Sequence, residues 1–167
     1  MTSDQSDSIQ WYVAHTRPRC EKKLARYCLE QGVSHNLPCY RSVRKYTRKV
    51  VEFQKPLFPG YLFLEMLPCQ RQKIFQSDYV ANLLDVPDQE EFRQQLGNIL
   101  EALQTEVEIR LAPEIKVGSY VLIKRGPLQG MIGWVGRRSG MVDVLLRLDF
   151  IGQAASVRMH ADELEPI

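Results

Sequence analysis

The chain has 167 residues, 44% of them hydrophobic, and 22 Lys and Arg against 20 Asp and Glu give a formal charge of +2. That is enough to bury one good core or two small ones, and the lack of any apolar run of about 18 residues excludes a membrane-spanning helix and predicts a soluble protein. Residues 1–8 have neither the basic end nor the apolar stretch of a signal peptide, so a cytoplasmic, reducing setting is expected.

In that setting Cys20, Cys28, Cys39 and Cys69, which form no CxxC pair, read as small buried hydrophobes rather than as disulfides or a metal site. Charge is balanced along the chain, with 15 basic and 14 acidic residues in 1–110 and 7 and 6 in 111–167. Basicity is therefore local. It concentrates at Arg17, Arg19, Lys22, Lys23 and Arg26 and again at Arg41, Arg44, Lys45, Arg48, Lys49 and Lys55 around a single Glu52. Such clusters are usually solvated faces, but two in one small domain raise the prospect of phosphate contact.

Ile9–Ala14 reads as a first strand. Thr16 is then a fair N-cap, Pro18 suits a first turn, and Cys20, Leu24 and Cys28 recur at helical spacing until Gly32 ends the helix. Residues 33–40 look extended, and 41–55, basic with β-branched Val43, Thr47, Val50 and Val51 interleaved, reads as a projecting hairpin.

The next stretch, Pro56-Leu57-Phe58-Pro59-Gly60-Tyr61-Leu62-Phe63, organises the N-terminal half. Its prolines cannot donate to a ladder and Gly60 tolerates the turn they force, so a rigid corner feeds a strand running to about Met66. Tyr61 and Phe63 project from one face, Leu62 and Leu64 from the other. Either the strand is packed on both faces, or the Tyr61/Phe63 face is an apolar docking surface.

Pro68 opens a short helical stretch with Ile74 and Phe75, and Val80–Val86 reads as another strand. After Pro87, the Asp88 to Glu91 spacing of a capping box starts a helix whose stripe is Phe92, Leu96, Ile99, Leu100, Leu103 and Val107, weakened a little by Gly97. Residues 105–116 read as a linker. Beyond it, seven of the ten glycines punctuate the short runs Tyr120–Lys124, Met131–Val135, Met141–Leu148 and Ala154–Met159, the pattern of a small five-stranded β barrel. Inside a helical hairpin Gly126, Gly130, Gly133, Gly136 and Gly140 would cost at most about 1 kcal/mol each and Pro127 about 3, so a barrel is expected, loosely tethered to the first domain, with Met141–Phe150 the one stretch that suits either fold.

Gly126-Pro127-Leu128-Gln129-Gly130 and the following Gly133 form a tight loop leading into a strand, and residues 117–135 resemble the KOW motif of ribosomal and transcription-elongation proteins. Trp11-Tyr12-Val13 at a first strand, Phe58-Pro59-Gly60-Tyr61, a linker and then the KOW segment together resemble the NusG family over nearly the whole chain. The stretch from Leu148 to Arg158 also resembles that family's last barrel strands.

The resemblance implies an α+β architecture, with a ferredoxin-like NGN domain at 9–105 on a mostly antiparallel sheet, a linker at 106–116, and an SH3-like barrel, the KOW domain, at 117–167. It implies that the NGN domain binds the clamp helices of RNA polymerase and suppresses pausing and termination, with Tyr12, Phe58, Pro59, Tyr61 and Phe63 at the matching positions. Rigid aromatics suit such an interface, although Trp11 and Phe63 are equally good core residues. Arg17, Arg19, Lys22, Lys23, Arg44, Lys45 and Arg48 are the expected contacts to non-template DNA, and the KOW loop carries Gly126, Pro127, Leu128, Gly130 and Gly133. A ribosomal protein or Rho is the implied partner of the KOW domain, and the protein is expected to act as a monomer.

Pro56–Pro59, Tyr61–Phe63 and Glu65 look closer to the specialised RfaH-like antiterminators than to housekeeping members, while Gly60 departs toward the housekeeping form. Residues 69–78 lack the His-Thr-Thr-Thr run by which RfaH reaches the polymerase gate loop, leaving Arg71, Gln72 or Lys73 as replacements. The competing reading is a ribosome-associated or RNA-binding KOW protein. An enzyme is not expected: there is no GxxxxGK, no nucleophile motif with a placed histidine, and His15, His35 and His160 stand in unrelated settings, so neither catalytic residues nor a cofactor or metal is assigned.

Overall fold

The first strand, β1 (Gln10–Thr16), runs two residues further than its apolar alternation predicts, because Thr16 is still held in the sheet. Its N–H donates to the Gly60 carbonyl at 2.8 Å, and the N–H of Arg17 donates to the Tyr79 carbonyl at 2.8 Å. The helix that follows starts only at Glu21, five residues on, so the predicted N-cap role of Thr16 is not taken up. The chain turns through Arg19 at φ 61, and helix α1 (Glu21–Glu30) begins at Glu21 with Cys20 in the cap position. The helix stops as predicted at Gly32, whose φ of 70 lets the N–H groups of Gly32 and Val33 reach back to the carbonyls of Leu29 and Cys28.

The computed structural model describes residues 8–105, 109–111, 120–139, 141–160 and 163–166. After α1 come β2 (Ser34–Asn36), the hairpin of β3 (Cys39–Lys45) and β4 (Val50–Pro56), and β5 (Tyr61–Met66). A 3-10 turn at Pro68–Gln70 leads into α2 (Arg71–Phe75), followed by β6 (Val80–Asp85) and α3 (Gln89–Leu103). The C-terminal strands are β7 (Ile109–Leu111), β8 (Tyr120–Ile123), β9 (Ile132–Ser139), β10 (Met141–Leu148), β11 (Gln153–His160) and β12 (Leu164–Pro166). No described helix is long and apolar enough to cross a membrane.

Two compact units result. The described residues up to Leu37 and Phe58–Gln89 form one; Pro38–Leu57 and the described residues from Glu90 onward form the other.

The first unit is built on an antiparallel sheet ordered β2-β5-β1-β6. Opposite residues of an antiparallel pair share a face. The register Tyr12↔Leu64 and Ala14↔Leu62 therefore puts these four side chains on one side, where they form a core with Leu24 and Cys28 of α1 and Ile74 of α2. The Tyr27 hydroxyl ties the two helices by donating to the Lys73 carbonyl at 2.7 Å. On the other side Trp11, Val13 and Phe63 are buried as well, so β5 is packed on both faces along Leu62–Leu64. Gln89 ties β1 to the end of β6 within this unit: its amide oxygen accepts from the Trp11 N–H at 2.6 Å and its amide nitrogen donates to the carbonyls of Trp11 and Val86 at 2.9 Å.

In the second unit, among the described residues, β3 and β4 pair only with each other, from Cys39↔Pro56 to Lys45↔Val50. Helix α3 buries Phe92, Leu96 and Ile99 of the predicted stripe, together with Ala102; Leu100 and Leu103 are half-buried and Val107 lies outside the described residues. The five C-terminal strands expected from the glycine pattern are joined by a sixth. The sheet order is β12-β8-β9-β10-β11-β7, and β7 falls within the stretch read as linker, pairing Ile109–Leu111 with Ala155–Val157. Three extended residues with no helical stripe suffice for a strand when a partner edge is open.

Two glycines fix the packing of this sheet. Gly136 is the extra residue of a bulge, since Arg137 and Val135 pair with the consecutive Asp143 and Val144. Gly133 permits close approach, because a Cβ there would lie 2.3 Å from Val144 Cγ1 and 3.0 Å from the Leu145 carbonyl oxygen. Within this unit α3 meets the turn that follows β10. Gln95 donates to Asp149 Oδ2 at 2.8 Å and accepts from the Asp149 N–H at 2.9 Å, and Phe92 meets Phe150 edge to face at 6.2 Å.

Candidate partner-binding surfaces

The corner before β5 is fixed from two sides. The Gly60 carbonyl accepts from Thr16 of β1, and its N–H donates to the Glu21 carboxylate in the first turn of α1 at 2.9 Å. Gly60 itself sits at φ 87, and the N–H of Tyr61 closes the turn on the Phe58 carbonyl at 3.2 Å. Direction and height of the corner are thus set by the sheet and the helix together.

The five aromatic and proline positions expected at a docking face do not lie on one surface. Tyr61 and Phe63 share a face, as strand parity requires, and Phe58 packs on Phe63 edge to face at 6.1 Å. Phe58 and Phe63 are however core side chains, 1% and 0% exposed. Tyr12 is 4% exposed and on the opposite face, with the Arg71 guanidinium 5.4 Å above its ring. Pro59 is exposed and Tyr61 half-buried. The surface side of this corner therefore consists of Pro59, Tyr61 and His15, whose ring stacks on Tyr61 at 5.3 Å and 22°. His15 is the member the sequence reading missed. Its signal is the cross-strand register His15↔Tyr61, available only once β1 and β5 are aligned. Beside it β6 carries a bulge, since His15 pairs with Asn82 and Thr16 with Val80, leaving Ala81 as the extra residue.

The first basic cluster is exposed throughout: Arg17, Arg19, Lys22 and Lys23 all face solvent. Arg17 is shared with Asp78, 3.2 Å away, which lowers the local positive field. Among the described residues Asp78 is the other non-glycine residue with positive φ, at 65. The second cluster lies on the hairpin, where Arg44, Lys45 and Arg48 are exposed and Arg41 pairs with Glu52 across the strands. Arg71 pairs with Asp85 and leans over Tyr12, so of the gate-loop candidates Gln72 is the one fully exposed and Lys73 is half-buried.

The glycine loop of the C-terminal strands is a plug. Gly126 and Gly130 take φ of 90 and 93, Pro127 faces out, and Leu128 between them is fully buried. The Gly130 N–H donates to the Ile123 carbonyl at 2.8 Å, joining the two ends of the loop. Nearby, Tyr120 packs against Trp134 at 3.5 Å between centroids, and the Arg147 guanidinium lies 5.2 Å from the Trp134 centroid. These three line a cleft of about 220 Å³ with Glu91 and Gln95 of α3.

Of the four cysteines only Cys28 is fully buried, Cys20 and Cys39 are partly buried, and Cys69 is exposed, against the expectation that all four are core hydrophobes. Burial pushes the Cys28 thiol up from 9.0 to about 11. Among the described residues no group of three or more His, Cys, Asp or Glu is placed to hold a metal ion.

The architecture is that of an α+β domain on an antiparallel sheet followed by a small β domain. The family model described as "Transcription termination factor nusG" matches residues 9–107, and the chain belongs to the NusG family of transcription factors. Its fold matches that of a structure described as "Domain interaction in Thermotoga maritima NusG", with a TM-score of 0.55 and 20% identity over 96% of this chain and 98% of that one. An MjSpt4:Spt5 complex, in conformation B, aligns at 17% identity over 94% of this chain and 96% of that one, with a TM-score of 0.30. No curated protein matches.

Proposed function

We propose that this NusG-family member is a transcription elongation and antitermination factor. It binds the clamp helices of RNA polymerase through an N-terminal domain at 9–105 and suppresses pausing and termination. The observation that carries this reading is the braced corner, where Pro59 and Tyr61, backed by the buried Phe58 and Phe63, stand beside His15 on an edge held by Thr16 and Glu21. A rigid aromatic edge on a pre-set turn loses little conformational freedom on docking, which is what an interface anchor requires. Tyr12 takes part through the core that supports the sheet rather than by contact.

The exposed cations Arg17, Arg19, Lys22, Lys23, Arg44, Lys45 and Arg48 are assigned to the phosphates of the non-template strand. The C-terminal domain is assigned to a further partner, a ribosomal protein or Rho, with the exposed Tyr120 and Ile132 as its apolar surface. Pull-down of RNA polymerase by the full chain, with Tyr61→Ala as the variant, tests the reading together with pause duration in a single-round transcription assay. Binding to ribosomes or RNA with none to polymerase would support the ribosome-associated alternative instead.

A further inference from the structure

Among the described residues hairpin β3–β4 forms a sheet of two strands, and its 18 residues carry six cations and one anion. The single anion, Glu52, is already paired with Arg41. That leaves Arg44, Lys45, Arg48, Lys49 and Lys55 as a positive ribbon, along which all but the half-buried Lys55 are exposed. Charge of this density would be satisfied by any polyanion, but the ribbon also keeps large apolar groups in water. Tyr46 is 51% and Phe53 39% exposed, so each leaves part of its ring open to a partner.

Strand parity sorts these side chains. Tyr40, Ser42 and Arg44 share a face with Val51, Phe53 and Lys55, which stand opposite them in the register. Tyr46 continues the same parity, its N–H donating to the Lys49 carbonyl at 2.8 Å as the turn begins. One face of the ribbon thus reads, from base to tip, Tyr40 and Lys55, then Phe53, then Arg44 and Val51, then Tyr46. Phe53 stands opposite Ser42, four residues from Tyr46, so the two exposed rings are roughly 13 Å apart along the strand with Arg44 between them.

We infer that this face is a stacking platform for single-stranded nucleic acid, in which Tyr46 and Phe53 each stack on an unpaired base while Arg44 and Lys55 hold the intervening phosphates. Every base has a π face, so aromatic groups interleaved with cations suit an unpaired strand without demanding a sequence. A paired duplex hides those faces and offers the ribbon phosphates alone. The inference deepens the nucleic-acid part of the function proposed above, and adds to it two uncharged residues that a purely electrostatic contact does not need.

The test uses the full chain without polymerase, and a fluorescein-labelled single-stranded oligonucleotide containing 2-aminopurine, in DNA and RNA forms of one sequence. Tyr46→Ala and Phe53→Ala are each expected to weaken binding by about tenfold, and Tyr46→Phe to keep it. Stacking on the wild-type ribbon should change the 2-aminopurine fluorescence, with the change reduced in Tyr46→Ala. The form that binds more tightly identifies the source of the strand. Equal affinity for an abasic oligonucleotide, or for the duplex of the same sequence, would overturn the inference, as would unchanged binding by Tyr46→Ala. Tyr46 lies at the exposed turn, so its truncation leaves the fold intact even where Phe53→Ala loosens the ribbon. Loss of polymerase binding by Tyr61→Ala is read in a different assay, so failure of one proposal is distinguishable from failure of the other.

Discussion

The Glu21 carboxylate accepts the N–H of Gly60 at 2.9 Å, so the first turn of α1 holds the corner that delivers the chain into β5. Removing the acceptor leaves a partly buried donor unsatisfied at a glycine whose φ of 87 already depends on its surroundings. Glu21→Ala is expected to lower stability by about 1 kcal/mol, whereas Glu21→Gln, which keeps an acceptor oxygen, retains most of it. Urea denaturation of the two variants measures the difference. Equal losses would mean that the charge, not the hydrogen bond, sustains the corner.

Tyr61 and Phe63 are two residues apart on one face of β5 and should respond in opposite ways. Phe63→Ala empties a fully buried site and is expected to cost about 3–5 kcal/mol, with a matching fall in midpoint temperature. Tyr61→Ala removes a half-buried ring stacked on His15, and should leave the chain folded while weakening polymerase capture by about 1–3 kcal/mol. Calorimetry beside a clamp-helix binding assay separates the two. Undiminished binding by a folded Tyr61→Ala protein would remove the corner from the interface.

Gly133 tests the packing of the C-terminal sheet. A methyl group there meets Val144 Cγ1 and the Leu145 carbonyl, and Val144 is fully buried. Gly133→Ala is expected to destabilise this unit by about 1–3 kcal/mol through overpacking, seen as early loss of amide protection in β9 and β10 under hydrogen exchange. By contrast Gly97 of α3 has open space around it, so Gly97→Ala should stabilise the helix by up to about 1 kcal/mol.

The Cys28 thiol is pushed up by burial, and the sign of its effect on stability follows. Between pH 9.0 and about 11 the unfolded chain ionises this thiol while the folded chain keeps it neutral, so the unfolded state binds fewer protons and stability falls as pH rises. Below pH 9.0 the group contributes no slope. Thiol reagents at pH 8 are accordingly expected to label the exposed Cys69 quickly and Cys28 only on unfolding, and Cys28→Ser should flatten the alkaline loss. Labelling of Cys28 at the rate of Cys69 in native protein would contradict its place on the buried face of α1.

Local pattern carried much of this architecture. The basic hairpin, the strand after the corner, the stripe of α3 and the four glycine-bounded C-terminal runs follow from periodicity and from where proline and glycine can stand, and the joint motifs identify the family. A period of two states which residues share a face of β5, but not what covers that face. Only the sheet, with β1 in register, buries Phe63, sends Tyr12 to the opposite side and brings His15 onto Tyr61. Thr16 and Ile109–Leu111 make the same point, one taken from a cap and the other from a linker into strands by hydrogen bonds to partners far along the chain. Side-chain type and spacing set local preference; which preference is realised is decided by the long-range bonds and burial that only the assembled sheets provide.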